Sequence, residues 1–181
     1  DEETAFIGLV GLMRLADARG DDAHVLELAE EAHKLRPSSV QVATTRVFGL
    51  ARAERWAEAQ SALYDAVKRG LIPRPEGRRH RAALLIERSR LAATQAESLE
   101  LAAKARESQP DFVPAIVAEA TLTAAAGRKE KARKLVADQW KTAPHPDLAA
   151  TQRALWDSET EAVVLRKIQS MVETLPEHPE S

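Results

Sequence analysis

Between Lys68 and Arg81 the sequence reads KRGLIPRPEGRRHR, in which Lys68, Arg69, Arg74, Arg78, Arg79 and Arg81 face a single acid, Glu76. Guanidinium groups pair carboxylates and phosphates through parallel N–H bonds, so this run could hold an acidic protein surface, a phospholipid headgroup or the carboxylates of a small ligand. The competing reading is a solvated set of cations at a helix C-terminus and on the loop after it. His80 lies inside the run and is the one histidine placed to act as a ligand there. His24, His33, His145 and His178 fall in no metal-binding spacing.

Catalytic chemistry has little to work with elsewhere. The chain contains no cysteine, which removes thiolate metal sites, disulfides and a cysteine nucleophile. It has no Walker A, G-x-G-x-x-G or G-x-S-x-G segment, so phosphate cradles and serine hydrolysis have no support. A net charge of −2 argues against general nucleic-acid binding, which needs a sustained basic surface. The expectation is a non-enzymatic chain that binds other proteins and carries no cofactor, metal or catalytic residue.

The elements that must position any binding residue are helices, and they repeat. Gly20, Glu54, Ala93 and Gly127 are spaced by 34, 39 and 34 residues, as are Pro37, Leu71, Pro110 and Pro144. Small or short residues keep step at Val25, Ala59, Ser98 and Ala132, where two helices must approach closely. A helix-turn-helix unit of this length with a closing proline is similar to the tetratricopeptide (TPR) repeat. The predicted fold is all-α, a right-handed α-solenoid of antiparallel helix pairs with about five repeats, approximately 3–37, 38–71, 77–110, 111–144 and 147–176. Residues 1–181 then form a single TPR-like superhelical domain, with the five extra residues of the third period in a basic loop at 70–79. The chain begins at Asp1 without an initiator Met and ends where a sixth repeat would begin, so it reads as a fragment of a longer protein.

Local signals refine the boundaries. Residues 3–18 carry Phe6, Ile7, Leu9, Val10, Leu12, Met13 and Leu15 over a wide arc, which predicts a buried first helix with Gly8 and Gly11 admitting a close neighbour. Asp111 is expected to cap the seventh helix, with Pro114 in its first turn and Gly127 closing it. Ser158 with Glu161 forms an S-x-x-E capping box for the last helix. In TPR arrays the binding groove is lined by first helices, which here points to Arg14, Thr44, Phe48, Arg52, Glu87, Arg90 and Thr121. The Lys and Asn set of a carboxylate clamp is not found at matching places.

Taken together, ETAFIGLVGLMRLADARGD, RGLIPRPEGRRHRAALL, PDFVPAIVAEATLTAAAGRKEKARKLVADQWKTAPHPDLA and the closing LPEHPES resemble the HemY family of proteobacterial inner-membrane proteins over essentially the whole chain. The resemblance implies transmembrane helices upstream of Asp1, a TPR array facing the cytoplasm, and a role late in haem biosynthesis with enzymes of that pathway as partners. It brings no catalytic residues. An alternative is a porphyrin- or haem-binding module, with Arg74, Arg78, Arg79 and Arg81 pairing the propionates and His80 near the metal. Such a module would also need an apolar slot.

Overall fold

Alanine, leucine and valine at helical spacing leave the chain one way to bury apolar surface, which is helix against helix. A computed structural model describes residues 1–157 and 159–173. Among them lie ten helices and no strand: α1 (Glu2–Ala18), α2 (Asp22–Leu35), α3 (Val40–Arg52), α4 (Trp56–Lys68), α5 (Arg74–Leu91), α6 (Gln95–Ser108), α7 (Val113–Ala125), α8 (Lys129–Trp140), α9 (Pro146–Ala154) and α10 (Glu161–Val172). None is long and apolar enough to cross a membrane.

The chain divides into two compact units, residues 1–84 and residues from 85 onward, the division falling within α5. In the first unit α1 packs on α2, α2 on α3 and α3 on α4. One core cluster joins Phe6, Met13, Val25, Leu28 and Val42, and another joins Leu26, Val47, Leu50, Leu63, Ile72 and Leu84. In the second unit α6, α7, α8 and α9 pack in succession, with α10 against α9, and Ile116, Val136, Trp140, Leu148 and Leu155 form the core. The positions read as small are buried as expected: Val25, Ala59, Ser98 and Ala132.

Three of the repeat turns close in the same way. Gly20, Glu54 and Gly127 adopt positive φ of 70°, 57° and 78°. A left-handed residue here lets its own N–H and that of the following residue fold back onto the helix end. Gly20 N–H donates to Asp17 O and Asp21 N–H to Ala16 O; Glu54 and Arg55 repeat the pattern on Ala51 O and Leu50 O, and Gly127 and Arg128 on Ala124 O and Thr123 O. Ala93, the equivalent residue of the third period, has no positive φ. There the carbonyl of Ser89, in register with those of Ala16, Leu50 and Thr123, accepts from the Ser98 hydroxyl at 2.6 Å, while the Ser89 hydroxyl donates to Ser98 O at 2.7 Å. Both side chains are buried.

Several boundaries differ from the sequence expectation. The basic loop at 70–79 is largely helix, because α5 starts at Arg74. Pro75 lies in the first turn, where its missing N–H is not needed. Gly77 is buried so closely against Val67 of α4 that a Cβ would overlap that side chain. The cap of α7 is Phe112, not Asp111, whose carboxylate instead accepts from the Gln109 amide. Helix α10 begins at Glu161 with Thr160 before it, and Ser158 lies outside the described residues, as do Pro176 and the LPEHPES segment from Leu175 on. The first helix is buried on one side only: Phe6, Met13 and Ala16 are covered, whereas Ile7, Leu12 and Leu15 are about half exposed. Gly8 and Gly11 have open space where a neighbour was expected. The reason is that the extensive packing of α1 is against α2, which leaves the side with Gly8 and Gly11 to solvent.

Candidate partner-binding clefts

Register arithmetic places Arg14, Phe48, Glu87 and Thr121 at one repeat position, by steps of 34, 39 and 34 residues. Each belongs to the first helix of its pair, whose core face is turned to the second helix, so these positions are free to face solvent. Arg14, Phe48, Glu87 and Thr121 are all exposed.

In the first unit, Arg14, Thr44, Phe48 and Arg52 come together as expected in a shallow cleft of about 200 Å³ between α1 and α3, with Asp17, Gln41 and Thr45 completing its wall. Arg52 is held by Asp22 at 2.7 Å, which neutralises it and fixes one end of the cleft. Arg14 has no ion pair among the described residues. Phe48 meets the His80 ring edge-on, with centroids 5.0 Å apart and the planes at 88°. Offset or perpendicular ring contacts of this kind satisfy the aromatic quadrupole and fix both rings.

The second unit carries a larger open cleft of about 740 Å³. Pro114, Val117, Ala118 and Thr121 of α7 form one wall, and Ser89, Arg90, Thr94, Gln95 and Ser98 the other. Arg90 and Thr121 are therefore placed as the sequence suggested. Glu87 pairs with Arg90 at 2.6 Å instead of lining the cleft. Alanine, serine and threonine make up half of the lining, beside Ile86, Pro114, Val117 and Leu122, so this surface combines apolar contact with short hydrogen-bonding groups.

The basic run does not enter either cleft. Arg74, Arg78, Arg79 and Arg81 stand exposed on the first turns of α5. His80 is engaged: its Nε2 lies 3.2 Å from Glu76 Oε1, and its ring rests on Phe48. Among the described residues no three His, Asp or Glu side chains gather as a metal-binding group. His33 lies on α2 and is partly buried. Its pKa is lowered by burial first and then by the charges of Arg46 and Arg69, against Asp65.

Sequence reasoning missed Gln41, Thr45, Ser89, Thr94, Gln95 and Ser98 as lining residues. Gln41 and Thr45 are within one turn of Thr44 and could have been found by helical spacing. The α5–α6 side could not, because the opening there depends on how the turn around Ala93 closes.

No protein-family profile and no curated protein matches this sequence. Solved structures do. A tetratricopeptide repeat protein from Parabacteroides merdae shares 13% identity over 96% of this chain and 68% of its own, at a TM-score of 0.59. MamA (41-end) from Desulfovibrio magneticus shares 10% identity over 99% of this chain and 98% of its own, at 0.58. PilF of Pseudomonas aeruginosa shares 14% identity over 95% of this chain and 77% of its own, at 0.53. With the helix pairs and turn geometry above, these likenesses define the fold as an α-solenoid of TPR-type repeats.

Proposed function

We propose that the chain is a non-catalytic scaffold that binds protein partners on the first-helix faces of its repeats. The observation that carries this reading is that Arg14, Thr44 and Phe48 in one unit, and Thr121 in the other, line open clefts without belonging to either core. Side chains at such positions cost side-chain entropy and contribute little to folding, so their placement makes sense as recognition surface. Aromatic and arginine side chains side by side are the residue types that dominate binding energy in protein interfaces.

The resemblance to the HemY family sharpens the proposal. In that reading the domain is the cytoplasmic part of an inner-membrane protein, anchored by helices upstream of Asp1, and the partners are enzymes of late haem biosynthesis. Support comes from the fourth repeat, PDFVPAIVAEATLTAAAGRKEKARKLVADQWKTAPHPDLA.

The test is retention on the immobilised domain from detergent-solubilised membranes, compared with Thr44→Arg and Thr121→Arg, which fill one cleft each. Haem-pathway enzymes retained by the parent chain and lost in one or both variants are expected. Retention that ignores both substitutions would remove the clefts from the account, and retention of unrelated proteins only would remove the haem-pathway partners.

A further inference from the structure

Within the first unit, three of the six arginines outside the basic run have found a carboxylate. Arg36 pairs with Glu3, Arg52 with Asp22, and Arg55 with both Glu30 and Glu58. At the start of α5 the pattern reverses. Arg74, Arg78, Arg79 and Arg81 are exposed and have no ion pair among the described residues, and the nearby Glu76 is taken by His80. A helix N-terminus carries a partial positive charge, so Arg74 in the first turn of α5 opposes the dipole and costs a little stability.

The arrangement is also directional. Arg74, Arg78 and Arg81 follow i, i+4, i+7 spacing and form one stripe about 10 Å long, whereas Arg79 is rotated by roughly 100° from Arg78. The stripe is held firmly, since Gly77 between its members is packed against Val67 and its N–H donates to Pro73 O at 2.8 Å. Along the helix axis the steps are about 6 Å and 4.5 Å. An extended chain advances about 3.3 Å per residue, so carboxylates on alternate residues recur at about 6.6 Å and can meet successive guanidinium groups.

From this geometry we propose that the Arg74–Arg78–Arg81 stripe is a docking site for an extended acidic segment of a partner protein. A lipid surface fits less well. No large apolar side chain between Lys68 and Arg81 is exposed for insertion, Ile72 is buried, and the apolar residues Ala82 and Leu84 of α5 are spent on the core. The proposal does not depend on the clefts.

A fluorescein-labelled peptide of alternating Glu and Ser, titrated with the whole domain and followed by anisotropy, tests it. The expected results are salt-sensitive binding, no binding of the Gln–Ser peptide, and at least about tenfold weaker binding by Arg78→Glu/Arg81→Glu. Arg79→Glu should change affinity by less than about threefold, being off the stripe, and an alternating Lys–Ser peptide should bind the double variant in place of the acidic one. Thermal unfolding of each variant checks that the fold is kept. No binding of the acidic peptide overturns the proposal. So does an equal loss from Arg79→Glu, which would mean a diffuse field, and so does binding to phosphatidylserine vesicles without binding to the peptide.

Discussion

The α3–α4 turn and the α5–α6 turn occupy the same place in the repeat and solve the same problem with different atoms. In the first, Glu54 takes a φ of 57° and Arg55 N–H reaches Leu50 O, so the backbone closes the helix and the Leu50 side chain is left to fill the core. In the second, Ala93 stays out of the left-handed region and Ser98 reaches back to Ser89 O. A hydroxyl replaces a main-chain donor, and a serine pair stands at the positions that Leu50 and Ala59 hold in the core of the first unit. A helix end must satisfy its last carbonyls. The repeat fixes which carbonyl needs a donor but not which group supplies it.

The largest way to break the comparison is on the apolar side. Leu50 is fully buried, so Leu50→Ala should destabilise the first unit by about 2–5 kcal/mol through lost burial and a residual cavity. Urea unfolding checks it. Ser98→Ala should cost about 1–3 kcal/mol, because it strips a buried carbonyl of its donor while keeping nearly the same volume. If the cost were negligible, the serine pair would be incidental to closing the turn.

Ala93→Gly sharpens the contrast. Alone it should stay within about 0.5 kcal/mol, but in the Ser98→Ala background it should restore about half of the loss, by letting the turn adopt the closure seen at Gly20 and Gly127. The smallest effect is expected at Glu54→Gly. Relief of the positive φ is partly offset by the extra freedom of glycine in the unfolded chain, leaving a gain of at most about 1 kcal/mol. A loss there would show that Glu54 does more than close a turn.

The same two turns mark what could be read from residues alone. The spacing of 34, 39 and 34 residues marked Gly20, Glu54, Ala93 and Gly127, each of which lies between two consecutive helices, and Gly20 and Gly127 announced their conformations because glycine bears no Cβ penalty. Glu54 was placed by register, although nothing in its chemistry asks for a positive φ. The Ser89–Ser98 exchange was not legible, since a hydroxyl-to-carbonyl bond across nine residues has no motif, and Ser98 read only as a small residue. The start of α5 was misread for a related reason. Two prolines and two glycines resemble a loop until Pro75 is seen in a first turn and Gly77 under Val67. Of the first-helix residues, Arg14, Thr44, Phe48 and Arg52 could be grouped by spacing because they share one cleft wall pattern. Arg90 and Thr121 needed the open turn to meet.

Partner recognition by first-helix faces is most directly tested by photo-crosslinking in cells. A benzophenone amino acid replaces Thr44 or Thr121 in the clefts, and Glu27 on the exposed side of α2 serves as the comparison. Discrete protein adducts are expected from one or both cleft positions and none from Glu27. Adducts from Glu27 with none from Thr44 or Thr121 would contradict it.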